Sequence, residues 1–95
     1  MSWSGSWALR IEFDPGAVDD LKRLDRPIQV RLLGFLRTRV ATLDNPRSIG
    51  EALSGARLGN YWKYRVGDWR IICDIRDEHI VVRVLRIGNR RDVYR

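Results

Sequence analysis

The sequence predicts one α+β domain in which a single sheet packs against a helical hairpin. Three observations predict it: an alternating apolar segment near the N-terminus, two proline-opened stretches with helical spacing, and three alternating segments separated by short turns. A chain of 95 residues suits one core, since a chain of this size buries roughly 60 to 65% of its unfolded surface. Residues 1–95 are therefore expected to form a single domain, and a two-domain enzyme is excluded.

Trp7, Leu9, Ile11 and Phe13 alternate with Ala8, Arg10 and Glu12, the period of a strand with one buried face. Asp14-Pro15 reads as a helix cap followed by proline at the first helical position, and Val18, Leu21 and Leu24 recur at helical spacing. Asp25-Arg26-Pro27 repeats the start signal. Behind it Ile28, Leu32, Phe35 or Leu36, Val40 and Leu43 share one side, while Arg31, Arg37 and Arg39 point elsewhere, so the two helices form a hairpin. Asp44-Asn45-Pro46 stops the second helix, and residues 47–60 read as a loop, with three glycines and few large apolar side chains. Strands follow over Tyr61 to Val66, Trp69 to Ile75 and Ile80 to Ile87, broken at Gly67-Asp68 and about Asp77-Glu78, which makes an antiparallel meander.

The first of these turns sets a register. With Gly67-Asp68 as a two-residue turn, Val66 faces Trp69, Arg65 faces Arg70, Tyr64 faces Ile71, Lys63 faces Ile72 and Trp62 faces Cys73. One face then carries Trp62, Tyr64, Val66, Trp69, Ile71 and Cys73, suited to packing on the helices. The other gathers Lys63, Arg65 and Arg70. Like charges opposed across strands cost roughly 0.2 to 1 kcal/mol per pair, so the patch either awaits an anionic partner or splays its side chains into solvent. The run Gly88-Asn89-Arg90-Arg91-Asp92-Val93-Tyr94-Arg95 places arginines and an aromatic just past the last strand, either as a nucleic-acid contact or as a soluble tail.

Composition narrows the function. Eighteen basic against twelve acidic residues leave a net charge of +6, and Lys22 and Lys63 are the only lysines. Arginine matches phosphate bidentately and stacks on bases, so the excess fits a nucleic-acid binder or simply a solvated basic surface. Hydrophobic residues at 44% and charged residues at 32% argue against disorder. No apolar run approaches the roughly 20 residues of a membrane helix, and Met1 to Trp7 lacks the regions of a signal peptide. A cytoplasmic protein without membrane partners is expected. Cys73 and His79 fall short of a zinc set, Cys73 reads as a buried thiol between neighbours such as Trp62 and Val82, and His79 reads as a hairpin-turn residue. No Walker loop, dinucleotide fingerprint or zinc-protease motif occurs, and no metal or cofactor is expected.

Leu53-Ser54-Gly55, Trp62-Lys63-Tyr64-Arg65, Trp69-Arg70-Ile71-Ile72, Val81-Val82-Arg83-Val84 and Gly88-Asn89-Arg90-Arg91-Asp92-Val93-Tyr94 together resemble the RelE/ParE toxin superfamily on its RelE side, from the first strand to the last residue. The resemblance implies a RelE-like fold and the toxin of a type II toxin–antitoxin pair. For RelE-like members it implies a ribosome-dependent endoribonuclease that cuts translated mRNA in the A site without a metal. There the 2′-hydroxyl attacks the adjacent phosphate, leaving a 2′,3′-cyclic phosphate and a 5′-hydroxyl. Residue by residue it implies a catalytic set of Lys63, Arg65, Arg70, Arg90 and Tyr94, with Arg91 and Arg83 as RNA contacts. Lys63 and Arg70 would stabilise transition-state charge, Arg90 would bind phosphate and help the 5′-oxygen leave, and Tyr94 would stack on or orient the nucleotide. Many relatives carry lysine where this chain has Arg65, and arginine is a poor general base. The base is left open, as is the choice between Arg90 and Arg91.

The implied partners are a RelB-like antitoxin and the ribosome with mRNA, with DNA reached only through the antitoxin. The alternatives are a ParE-like toxin that binds DNA gyrase, and an inactive toxin-fold corepressor.

Overall fold

The computed structural model describes residues 2–4, 9–53, 61–76 and 81–93. Of the residues singled out above, Trp7, Ala8, Ser54, Gly55, the Asp77-Glu78 break, His79, Ile80, Tyr94 and Arg95 lie outside these. The elements are β1 (Ser2–Ser4), β2 (Arg10–Phe13), α1 (Pro15–Lys22), α2 (Arg26–Phe35), β3 (Glu51–Ala52), β4 (Tyr61–Val66), β5 (Trp69–Arg76) and β6 (Val81–Asn89). The α+β architecture and the meander β4-β5-β6 are as expected, but the sheet has six strands in the order β1-β2-β6-β5-β4-β3, not four.

The parallel pairing of β2 with β6 follows from the helical hairpin, which carries the chain across one face before the meander begins. Arg10 to Phe13 pair with Val81 to Val84, and the Asp14 N–H extends the ladder to the Val84 carbonyl at 2.9 Å. Pro15 has no N–H and opens α1, so the ladder stops there. The next donor on the edge of β6, the Ile87 N–H, is instead taken by the buried Asp20 carboxylate at 2.8 Å. Arg86 Nε donates to the same carboxylate at 2.9 Å. Helix α1 thus serves as a side-chain substitute for the missing strand.

Asp14 and Asp25 hold the extended backbone of cap positions (φ −69°, ψ 153° and φ −61°, ψ 148°), but neither side chain caps its helix. The Asp14 carboxylate accepts from Arg83 Nε at 2.6 Å instead. Gln29 closes the hairpin from the other side. Its side-chain amide donates to the carbonyls of Leu21 and Leu24 at 2.6 and 2.9 Å, the former already accepting the Leu24 N–H at 3.0 Å, and so ties α2 to the end of α1. Helix α2 then widens over Leu36–Val40, where the Ala41 N–H reaches the Leu36 carbonyl five residues back at 2.8 Å. Leu32, Leu36 and Val40 remain fully buried through this π turn. They pack with Ala17 and Leu21 against Ile11, Tyr64, Ile71, Cys73, Ile75, Val82, Val84 and Ile87 of the sheet.

A bulge at Ile72/Cys73 leaves Leu85 as the extra residue of β6, so Cys73 lies opposite Val84 and not Val82. Its burial is complete and pushes the thiol pKa up, aided by the nearby Asp74 charge. The segment read as a plain loop over 47–60 contains β3. Glu51 and Ala52 pair with Lys63 and Trp62, and two aromatic donors of β4 fasten the approach to β3. Tyr64 OH donates to the Pro46 carbonyl at 2.6 Å and Trp62 Nε1 to the Ile49 carbonyl at 2.8 Å. Gly50, at φ +83°, permits the close approach: a Cβ there would lie 2.5 Å from the Lys63 carbonyl oxygen.

Candidate functional site

The β4–β5 register runs from Trp62 opposite Cys73 to Val66 opposite Trp69, with Arg65 directly opposite Arg70 and Lys63 opposite Ile72. Alternation buries Tyr64 and Val66 under the helices and turns Lys63 and Arg65 to the other face. Phe35 of α2 meets the Tyr64 ring edge-on at 6.0 Å, which fixes β4 against α2. Ile72 is 7% exposed on the charged face, where the pairing places it between Lys63 and Arg86. The aliphatic stems of such long side chains can cover apolar surface while their charged ends stay in water.

The anion that the basic patch calls for is supplied by the chain itself. Glu51 pairs with Lys63 across the β3–β4 ladder, its Oε1 lies 3.4 Å from Lys63 Nζ, and the same oxygen accepts from the Arg65 guanidinium. Desolvation pushes the Glu51 carboxyl up, but the hydrogen bonds and charges of Lys63 and Arg65 outweigh it and hold the pKa below the usual carboxylate range. Arg70 is turned back on the hairpin turn, donating to the carbonyls of Gly67 and Trp69 at 2.8 and 2.9 Å.

Arg90 reaches the same turn from the far side. The Asn89 side chain accepts the Arg91 N–H at 3.1 Å, and the Asn89 carbonyl accepts the N–H groups of Asp92 and Val93 at 2.9 and 3.0 Å, winding the chain into a tight turn. Val93 is buried, which anchors the turn. The Arg90 N–H donates to the Asp68 carbonyl at 2.8 Å, and Arg90 Nε lies 3.9 Å from Asp68 Oδ1. Asp68, Asn89, Arg90, Arg91 and Asp92 line an open recess of about 430 Å³.

Lys63, Arg65 and Arg70 therefore share one face of the β4–β5 hairpin, and Arg90 is docked at its tip with Arg91 beside it. Arg83 stands apart, near the start of β6, with its guanidinium on Asp14. The expected role of Tyr94 falls on a residue outside those described. Among the described residues, no group of three His, Cys, Asp or Glu side chains could hold a metal ion. Sequence reasoning missed Glu51 and Asp68. Asp68 was placed correctly as a turn residue, but its grip on Arg90 joins positions 22 residues apart. Glu51 sits in a two-residue strand too short to show a period. Chemically, the cluster of cations can hold an oxyanion, and Glu51 is a carboxylate placed beside them that can accept a proton.

Residues 11–94 match the family described as the ParE toxin of the type II toxin–antitoxin system parDE. Among solved structures, the chain is similar to the RelBE2 toxin–antitoxin complex from Mycobacterium tuberculosis at 27% identity and TM-score 0.74, over 86% of this chain and 91% of that one. It is also similar to the archaeal RelE–RelB complex from Pyrococcus horikoshii OT3, at 23% identity and TM-score 0.69 over 90% and 99% of the two chains. The isolated RelE toxin of E. coli matches at 17% identity and TM-score 0.63, over 83% of this chain and 81% of that one. No curated protein sequence matches.

Proposed function

The chain belongs to the ParE toxin family of type II toxin–antitoxin systems, within the RelE/ParE superfamily, and from that premise we propose that it is a metal-independent endoribonuclease cutting translated mRNA in the ribosomal A site. The observation that carries the reading is the Glu51 carboxylate held between Lys63 and Arg65. A scissile phosphate arriving at that pair would take over its two cations. Released from them, Glu51 would regain an ordinary pKa and become a better proton acceptor at the moment one is required. Arginine at position 65 then serves as a charge donor, and the base is Glu51.

In this mechanism the 2′-hydroxyl oxygen bonds to phosphorus as its proton passes to Glu51. The bond from phosphorus to the 5′-oxygen breaks, and that oxygen takes a proton from water. Lys63, Arg65 and Arg70 stabilise the added charge on the phosphorane, while Arg90, held at the hairpin tip, neutralises the phosphate and the departing oxygen. Tyr94 would orient the nucleotide, and Arg91 the flanking phosphate. The partner under this reading is a RelB-like antitoxin, as in the RelE–RelB complexes, acting in the cytoplasm.

Primer extension on mRNA in programmed 70S ribosomes with EDTA tests the reading, using wild type, Arg90→Ala, Tyr94→Phe and Glu51→Gln. Cleavage in the A-site codon that survives EDTA and falls in all three variants is expected. No cleavage by folded, antitoxin-free protein would overturn it. The matched family description, which names ParE, favours one second reading, a DNA gyrase poison. A supercoiling assay on the same protein decides for or against that reading.

A further inference from the structure

Positive charge is distributed unevenly between the two layers. On the sheet the cations are engaged: Arg10, Arg76, Arg83 and Arg86 pair with Glu12, Asp74, Asp14 and Asp20 at 3.3, 2.9, 2.6 and 2.9 Å. Lys63 and Arg65 share Glu51, and Arg90 lies against Asp68. Helix α2 carries no acidic residue of its own. From Arg26 to Leu43 the chain has four arginines, Arg26, Arg31, Arg37 and Arg39, and no acidic residue, so this stretch contributes four of the six net charges. All four are exposed. Arg26, Arg31 and Arg39 have no carboxylate within ion-pair distance among the described residues.

We propose that the exposed face of α2 is a second binding surface, which docks on the phosphate backbone of folded RNA apart from the candidate site. The inference rests on the ribonuclease reading for its choice of polyanion. Arg26 to Arg39 span about 20 Å of helix at 1.5 Å per residue, and duplex nucleic acid carries a charge about every 1.7 Å along its axis. Arg26, Arg31 and Arg39, with no carboxylate within ion-pair distance among the described residues, gain from counterion release on such a backbone without first breaking an internal ion pair. The ion-paired sheet cations must exchange a carboxylate for a phosphate, and Arg70 is held by the carbonyls of Gly67 and Trp69, so α2 makes the first contact. An acidic protein helix would lie along one stripe, whereas these arginines are spread around the exposed arc of α2.

The test uses the full chain with Arg26→Gln, Arg37→Gln and Arg39→Gln combined, leaving Arg31, whose guanidinium lies beside Gly67. Binding to vacant 70S ribosomes and to a short RNA duplex is measured between about 50 and 200 mM salt. The control is Arg10→Gln with Arg76→Gln on the sheet, and thermal melts confirm folding. Affinity for both RNAs should fall at least about tenfold in the triple variant, and the log–log salt slope should lose about three. The control should keep wild-type binding, and cleavage at saturating ribosome concentration should be unchanged. Undiminished RNA binding by the triple variant, or an equal loss in the control, would overturn the proposal. So would loss of a co-purifying antitoxin with RNA affinity intact, which would make α2 a protein-docking face. If wild type binds and the triple variant does not, yet neither cleaves mRNA, the docking surface stands and the nuclease reading falls.

Discussion

Asp68 holds Arg90 twice, through its carbonyl, which accepts the Arg90 N–H at 2.8 Å, and through its carboxylate, 3.9 Å from Arg90 Nε. The turn that presents Asp68 depends on Gly67, at φ +61°, where a Cβ would lie 2.8 Å from the Arg31 guanidinium. Gly67→Ala is expected to cost about 1 to 2 kcal/mol, the usual penalty for a left-handed non-glycine residue. It should also loosen the Arg90 anchor. Urea unfolding reads the first effect, and hydrogen exchange at the Arg90 amide reads the second. Unchanged exchange in a destabilised variant would separate Arg90 from the hairpin tip.

Asp20 answers for two donors on β6. Asp20→Ala leaves the buried Ile87 N–H unpaired and should destabilise the domain by about 1 to 3 kcal/mol. Asp20→Asn keeps an oxygen acceptor for that N–H and should cost less. Equal losses in paired thermal melts would show that the Ile87 bond is not the important one.

Tyr64→Phe removes the hydroxyl bonded to the Pro46 carbonyl. A loss of about 1 to 2 kcal/mol is expected, with faster exchange of the Leu53 N–H, which donates to the Tyr61 carbonyl at 3.2 Å just beyond β3. A stability loss without faster exchange at Leu53 would mean that Trp62 alone fastens this segment.

The pKa of Glu51 is lowered by Lys63 and Arg65, so the folded state binds a proton there less readily than the unfolded chain. The ion pairs therefore contribute fully above the usual carboxylate value of about 4.3 and are lost as pH falls through the lower folded value. Stability of wild type relative to Glu51→Gln should shrink toward zero as pH drops, measured by denaturant unfolding across that range. A difference that grows on acidification would contradict the pairing. Under the proposed mechanism the same substitution should reduce cleavage about 100-fold or more at neutral pH, whereas a purely structural Glu51 would leave it largely intact.

The β4–β5 register is legible because Gly67-Asp68 permits only a two-residue turn, after which alternation forces Arg65 opposite Arg70. The apolar side of α2 is legible for the same kind of reason, as Leu32, Leu36 and Val40 stay buried through the π turn. Asp14 shows the limit of local signals. Its position before Pro15 marks the start of a helix, but the partner of its carboxylate is Arg83, 69 residues away. Strands β1 and β3 escape periodicity because three residues of Ser2–Ser4 and two of Glu51–Ala52 are too few to alternate. The neutralisation of the basic patch was hidden with β3, since the carboxylate and its cations meet only once the edge strand pairs.

Strand β6 lies at the centre of the sheet, between β2 and β5, although it is made after both. During synthesis, a nascent chain lacking Val81–Asn89 has β2 with no neighbour but β1, and a β4–β5 hairpin with one edge bare. Such a chain cannot close its core, and Arg90, which follows β6, is not yet present to meet Asp68. Lys63, Arg65 and Arg70 are thus made before the central strand, and Arg90 joins them at the hairpin tip only once β6 has paired.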